Sequence, residues 1–151
     1  MSTQPAVTLE RVGDWLTGQN LVFEHGEADN LVVGFDNCHV VFCTHDDGNQ
    51  LVARAYWRGR FEVEQLPELY DMADAHHLRT HGPRLSVLVV EPEEEGGPEQ
   101  AVLSTQMVEY VAQGRSPEQL AVLMEMIMRM NMSFLADIEE RYPALVTWED
   151  D

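Results

Sequence analysis

The stretch Ser116 to Tyr142, SPEQLAVLMEMIMRMNMSFLADIEERY, constrains the chain more than any other. Ser116 is a good N-cap, Pro117 fits the first helical position where its missing N–H costs nothing, and Gln119 completes a capping box with the serine. At 100° per residue Leu120, Leu123, Ile127, Met130, Phe134 and Ile138 share one face, which a helix buries against a core. The apolar surface continues beyond that stripe. Met124, Met128 and Met132 form one shoulder and Val122 with Met126 the other, so only a narrow strip around Glu125, Arg129 and Glu140 is made for water. Such a helix must be covered on more than one side, by its own domain or by another chain. Methionine serves both ends, as filler of irregular cores and as an adaptable binding surface. Met124, Met126, Met128 and Met132 are therefore either core or the contact with a partner or second copy.

Upstream, Thr8 can cap a short helix to about Gln19, with Leu9, Val12, Trp15 and Leu16 inward and Asn20 as a stop. Residues 1–6 read as a loose tail and residues 143–151 as an acidic one. Apolar runs of strand length follow at Leu21 to Glu24, Leu31 to Asp36, His39 to Thr44 and Gln50 to Arg60, separated by turn residues such as Asp46-Asp47-Gly48-Asn49. Val40, Phe42 and Thr44 share the face the sheet is expected to bury, opposite His39, Val41, Cys43 and His45. From about Val63 the period turns helical, and Gly82-Pro83 ends that helix. Arg84 to Val90 is apolar enough for a central strand, and an acidic, glycine-rich connection leads to a last strand, Gln100 to Val111.

Strands grouped in this way pack as α+β. The expected fold is one domain over residues 1–151, an antiparallel sheet of about five strands with three helices, in the order α-β-β-β-α-β-β-α.

Reaction chemistry is not legible. With 27 acidic residues against 9 basic ones the formal net charge is −18, and every basic residue is arginine. Such a surface is unsuited to nucleic acid or anionic membranes, and the lack of lysine excludes Schiff-base and P-loop chemistry. No apolar run approaches a membrane span and no secretory signal is read, so a cytoplasmic location is expected. No catalytic residue, cofactor or metal is assigned. His77 and His81 have i,i+4 spacing but meet Gly82-Pro83, and Cys38 and Cys43 point to opposite faces of a strand. If the strand runs on to Arg60, Arg54, Tyr56, Arg58 and Arg60 share a face, a guanidinium-lined contact for an acidic peptide or small anion.

Four segments, Thr8-Leu9-Glu10-Arg11-Val12, the Asp46-Asp47-Gly48 turn, Ala75-His76-His77 before Gly82-Pro83-Arg84-Leu85, and Arg115-Ser116-Pro117-Glu118-Gln119-Leu120, follow a recognisable order. In that order, from Thr8 to Tyr142, the chain resembles the YbjN family. It departs where members often carry an asparagine-rich, tryptophan-containing helix ending, having His76, His77 and His81 instead. The resemblance implies a fold like that of type III secretion chaperones and a small acidic protein without established enzymatic activity, of the kind often described as sensory transduction regulators. It also implies a dimer that holds partner segments on apolar surfaces. The expected function is thus a non-catalytic, chaperone-like or regulatory protein that binds protein partners, as a homodimer. The alternative is a small-ligand or metal-responsive sensor using the His76, His77, His81 region or the arginine face of residues 54–60.

Overall fold

The computed structural model describes residues 4–80, 82–92 and 94–145. Thr8 accepts a hydrogen bond from the Arg11 amide at 3.2 Å and starts α1 (Leu9–Gly18), which Asn20 ends with a left-handed φ of 62°. The strands β1 (Phe23–His25), β2 (Leu31–Gly34), β3 (Cys38–His45) and β4 (Gln50–Trp57) follow as a meander. The turn between β3 and β4 has positive φ at Asp46, Asp47 and Gly48, residue types that tolerate that region. After β4 come a two-residue strand β5 (Phe61–Glu62), a 3₁₀ turn (Val63–Gln65) and α2 (Leu66–Arg79) with Pro67 in its first turn. The hairpin of β6 (Arg84–Val90) and β7 (Gln100–Tyr110) then leads to α3 (Pro117–Arg141) and a closing 3₁₀ turn (Pro143–Leu145). Ser116 and Gln119 form the capping box expected at the start of α3, with bonds of 3.1 and 2.8 Å.

The α+β class and antiparallel sheet are as the sequence predicts, with seven strands rather than about five. One of the additional strands arises because the run Gln50 to Arg60 breaks after Trp57. The indole lies against Gly59, where any Cβ would overlap the ring, and after a single bridge at Gly59 the chain forms a strand again at Phe61, which faces Ala101. In space the order is β1-β2-β3-β4-β7-β6, with β5 beside β7 on the same side as β4. Arg84 to Val90 reads as a central strand, yet among the described residues β6 pairs only with β7 and forms an edge.

All three helices serve one sheet face, α1 over β3, α3 over β4 and α2 against β6. Under them Leu31, Val33, Val40, Phe42, Leu51, Ala53, Ala55, Trp57, Leu103 and Leu85 are buried. Alanine at 53 and 55, in the central strand, leaves room for the close approach of α3. Residues 4–6, expected to be loose, are tied down. The Gln4 amide donates to Gln113 O at 3.1 Å, the Arg115 amide to Pro5 O at 2.9 Å, and the Arg11 guanidinium bonds Pro5 O, Ala6 O and Arg115 O. Gly114, at φ +76°, permits this crossing because a Cβ there would collide with the backbone of Gln4 and Pro5.

Candidate functional site

The methionines of α3 divide. Met124 is wholly buried in its own chain and is core, so it is not part of an exposed shoulder. Met126, Met128 and Met132 are half-buried against that core. Met128 and Met132 line a groove with Trp15 between α1 and α3, and the Cys38 thiol lies 3.7 Å from the Met132 sulfur. Burial pushes the Cys38 thiol up to about 12, with Glu139 adding to the effect, so it is held as an inert thiol. On the opposite face of β3, burial also raises Cys43, against a smaller lowering by Arg54.

The three arginines do not share a face. Arg54 lies on the helix-free side and donates from Nε to Gln106 Oε1 at 3.2 Å. Arg58, past the end of β4, reaches α3 instead, where its Nε meets Glu139 Oε1 at 2.6 Å with both side chains largely buried. The Arg60 amide donates to Leu145 O at 2.9 Å and holds the closing 3₁₀ turn. The strand break at Gly59 is what separates them, and composition alone does not signal it.

The histidines are engaged by backbone. His76 Nε2 lies 2.7 Å from Pro83 O as donor, whereas His77 Nε2 accepts the Leu85 amide at 2.9 Å. They stitch the end of α2 to the start of β6. His81 lies outside the described residues, and among those residues no group of three or more His, Cys, Asp or Glu converges as a metal site.

One buried polar pair was not legible in the sequence. Asn131, on the core side of α3, accepts from the Thr105 hydroxyl at 2.5 Å, and its amide donates to Ile127 O at 2.9 Å. A lone asparagine inside an apolar helical stripe was its available signal.

Among the described residues, what remains without a covering element is the other side of the sheet. Its rows follow from the register, with Val32, Val41, Arg54, Gln106 and Arg84 in one and His39, Tyr56, Ser104 and Ser86 in the next. Flanking them are Val52 beside Val108, and Val102 beside Leu88. Leu88 is 40% exposed, Val108 45% and Tyr110 63%. His39 stacks on Tyr56 at 4.9 Å, and burial lowers its pKa. The free edge of β6 adjoins this face. Because the Leu85 amide turns away from β7 to His77, alternation directs the N–H and C=O groups of Val87 and Val89 to the same open edge. Val89 is itself 49% exposed, and α2, packed beside β6, adds exposed Tyr70 and Leu78. No helix among the described residues is long and apolar enough to cross a membrane.

Neither protein-family models nor curated protein sequences gave a match to this chain. Among solved structures it is similar to the crystal structure of E. coli YbjN, described there as "a putative transcription regulator". The two share 13% identity at a TM-score of 0.64, over 93% of this chain and 97% of the other. At that identity the likeness is one of fold. This chain therefore has a YbjN-like fold.

Proposed function

We propose that the chain is a non-catalytic regulatory protein that works by binding other proteins, and that its first partner is a second copy of itself. The carrying observation is β6. Its sequence is that of a strand covered on both faces and both edges, yet in the single chain it is an edge strand with open backbone groups at Val87 and Val89. Exposed, flat, apolar edges are templates for strand pairing and are normally blunted by charge or proline. Val87 to Val90 carry neither. A two-fold pairing of β6 with its copy needs no other complementary surface, and it brings together a segment without carboxylates in a chain of net charge −18. α2, which packs against β6, also exposes Tyr70 and Leu78. Met126, Met128 and Met132 supply a second apolar surface, along α3, for a partner or copy.

The non-catalytic part of the reading draws on how the reactive groups are spent. Cys38 is buried with a strongly raised pKa, and His76 and His77 each commit a ring nitrogen to backbone. The description of the fold neighbour as a regulator agrees with it.

Solution mass by light scattering tests the proposal on wild type, Val89→Pro and Met128→Asp. Proline at 89 removes an N–H that faces the edge and leaves the β6–β7 ladder intact. A wild-type dimer that Val89→Pro splits without lowering secondary structure supports it. A wild-type monomer overturns self-association, and a dimer split only by Met128→Asp moves the contact to α3.

A further inference from the structure

Acidic side chains are distributed unevenly over this molecule. In a chain with 27 Asp and Glu in 151 residues, none of the outward positions of β2, β3, β4, β7 and β6 is acidic. Carboxylates begin at the margins, with Glu24 on β1, Glu62 on β5 and Asp46 and Asp47 in the turn. The charges the face does carry are Arg54 and Arg84, in one row on either side of Gln106. Two strand spacings, roughly 10 Å, separate them.

We propose that this helix-free face docks a segment of another protein in which acidic and apolar side chains are interspersed. The inference rests on the reading of the chain as a protein-binding module and names what it binds. Arg54 is held on the face through its Nε by Gln106, which presents the two terminal nitrogens of its guanidinium for a carboxylate. On one side of the arginine row Val108 is 45% exposed beside the buried Val52, and on the other Leu88 is 40% exposed beside the buried Val102, with the half-buried Tyr56 next to Arg54 in the row between. A ligand therefore meets two guanidinium groups with an exposed apolar side chain on either side of them. A carboxylate placed between apolar neighbours satisfies both, whereas a basic segment finds no acid to pair with and two arginines to oppose it.

The whole-chain charge selects further. It repels any polyanion, and two arginines without a single lysine offset little of the phosphate charge of a nucleic acid. A short segment is affected less, because the field of the helices and loops is screened over about 8 Å at physiological salt while the apolar burial is not.

Fluorescence anisotropy with three labelled probes tests the inference. The probes are a peptide alternating Glu with Leu and Val, its twin with Lys in place of Glu, and an oligothymidine. The expected result is that the acidic peptide binds at least about tenfold more tightly than the lysine twin or the oligothymidine. Arg54→Glu should weaken the acidic peptide by about tenfold and strengthen the lysine twin, with melting temperature and solution mass unchanged. Arg54 is two strands inside the β6 edge, so self-association through that edge is read separately. Twin peptides that bind alike, an oligothymidine that binds as well as the acidic peptide, no acidic-peptide binding at millimolar concentration, or an Arg54→Glu protein that binds as wild type would each overturn it. Loss of peptide binding with the dimer intact rejects this partner and leaves the dimeric binding protein standing. A monomer that binds no peptide rejects both.

Discussion

Alternate residues of the same strands build two unlike surfaces. On β3, Cys38, Val40 and Phe42 enter a core under α1 and α3, while His39, Val41 and Cys43 face outward. On β4, Ala53 and Ala55 lie beneath α3, and Arg54 and Tyr56 stand on the open side. The covered face is shaped by packing, with side chains sized to the helices above. The open face has no helix to fit, and its inner strands mix apolar and uncharged polar side chains with Arg54 and Arg84 and carry no carboxylate, where the rest of the surface is rich in them. That contrast teaches that the covered face answers to folding, while the open face is not constrained by packing and is the one proposed for association. Substitutions on each should separate stability from binding.

The largest expected effect is on the covered face. Phe42→Ala should lower unfolding stability by about 3–5 kcal/mol, the usual range for deleting a fully buried ring. Its outward neighbour Val41→Ala should lose only about 1 kcal/mol or less. Urea titration of both proteins measures the difference, and equal losses would mean that the outward face is covered too.

Next is the polar pair inside the core. Asn131→Ala leaves the Thr105 hydroxyl buried without its acceptor, an expected loss of about 2–3 kcal/mol. Thr105→Val combined with Asn131→Ala removes the hydroxyl and its acceptor together, so the double variant should lose less than the sum of the two single losses. A double-mutant cycle in urea reads this coupling, and strict additivity would show that the two groups act independently.

Arg58 and Arg54, four residues apart, sharpen the comparison at smaller scale. Arg58→Ala strands Glu139 in a largely buried site and should lose about 1–2 kcal/mol, whereas Arg54→Ala on the open face should change stability by about 0.5 kcal/mol or less. Parallel thermal melts of the two variants suffice. Their order would reverse if Arg54 were the one locked into the fold.

Much of the covered face is legible in sequence, because it follows from periodicity. The alternation in His39 to Thr44 identifies Phe42 as inward, the 3.6-residue spacing in Leu120 to Ile138 identifies the buried stripe of α3, and Thr8, Ser116 and Pro117 mark helix starts through local capping chemistry. What is not legible depends on neighbours that are distant in the chain. Strand alternation carries Arg58 onto the face of Arg54, but the ring of Trp57 over Gly59 breaks the strand and sends Arg58 to Glu139. Apolar residues on both faces of Arg84 to Val90 imply cover on both sides, but not whether that cover belongs to the same chain. Met124 and Met128 differ by one helical turn, and only the tertiary packing makes the first core and leaves the second in a groove.

The smallest effect concerns His39, a titratable group on the open face that nonetheless behaves in part as a buried one. Stacking against Tyr56 removes solvent from its ring, and this desolvation holds its pKa below the usual value near 6.5. The folded state then binds fewer protons than the unfolded state when pH drops under that value. Its contribution to stability is fully present above about pH 6.5 and is lost as pH falls from there through the lowered folded-state pKa. His39→Gln should flatten this part of the pH–stability profile, leaving the steeper carboxylate-driven loss at lower pH in place. Urea titrations at intervals between about pH 7.5 and pH 5 measure the slope. An unchanged slope in His39→Gln would mean that the ring is solvated on the open face. With an acidic peptide bound to wild type, a flatter slope would place a ligand carboxylate near His39, because that charge favours the protonated ring and reduces the shift, whereas a steeper slope would mean that the docked segment covers the ring with apolar side chains.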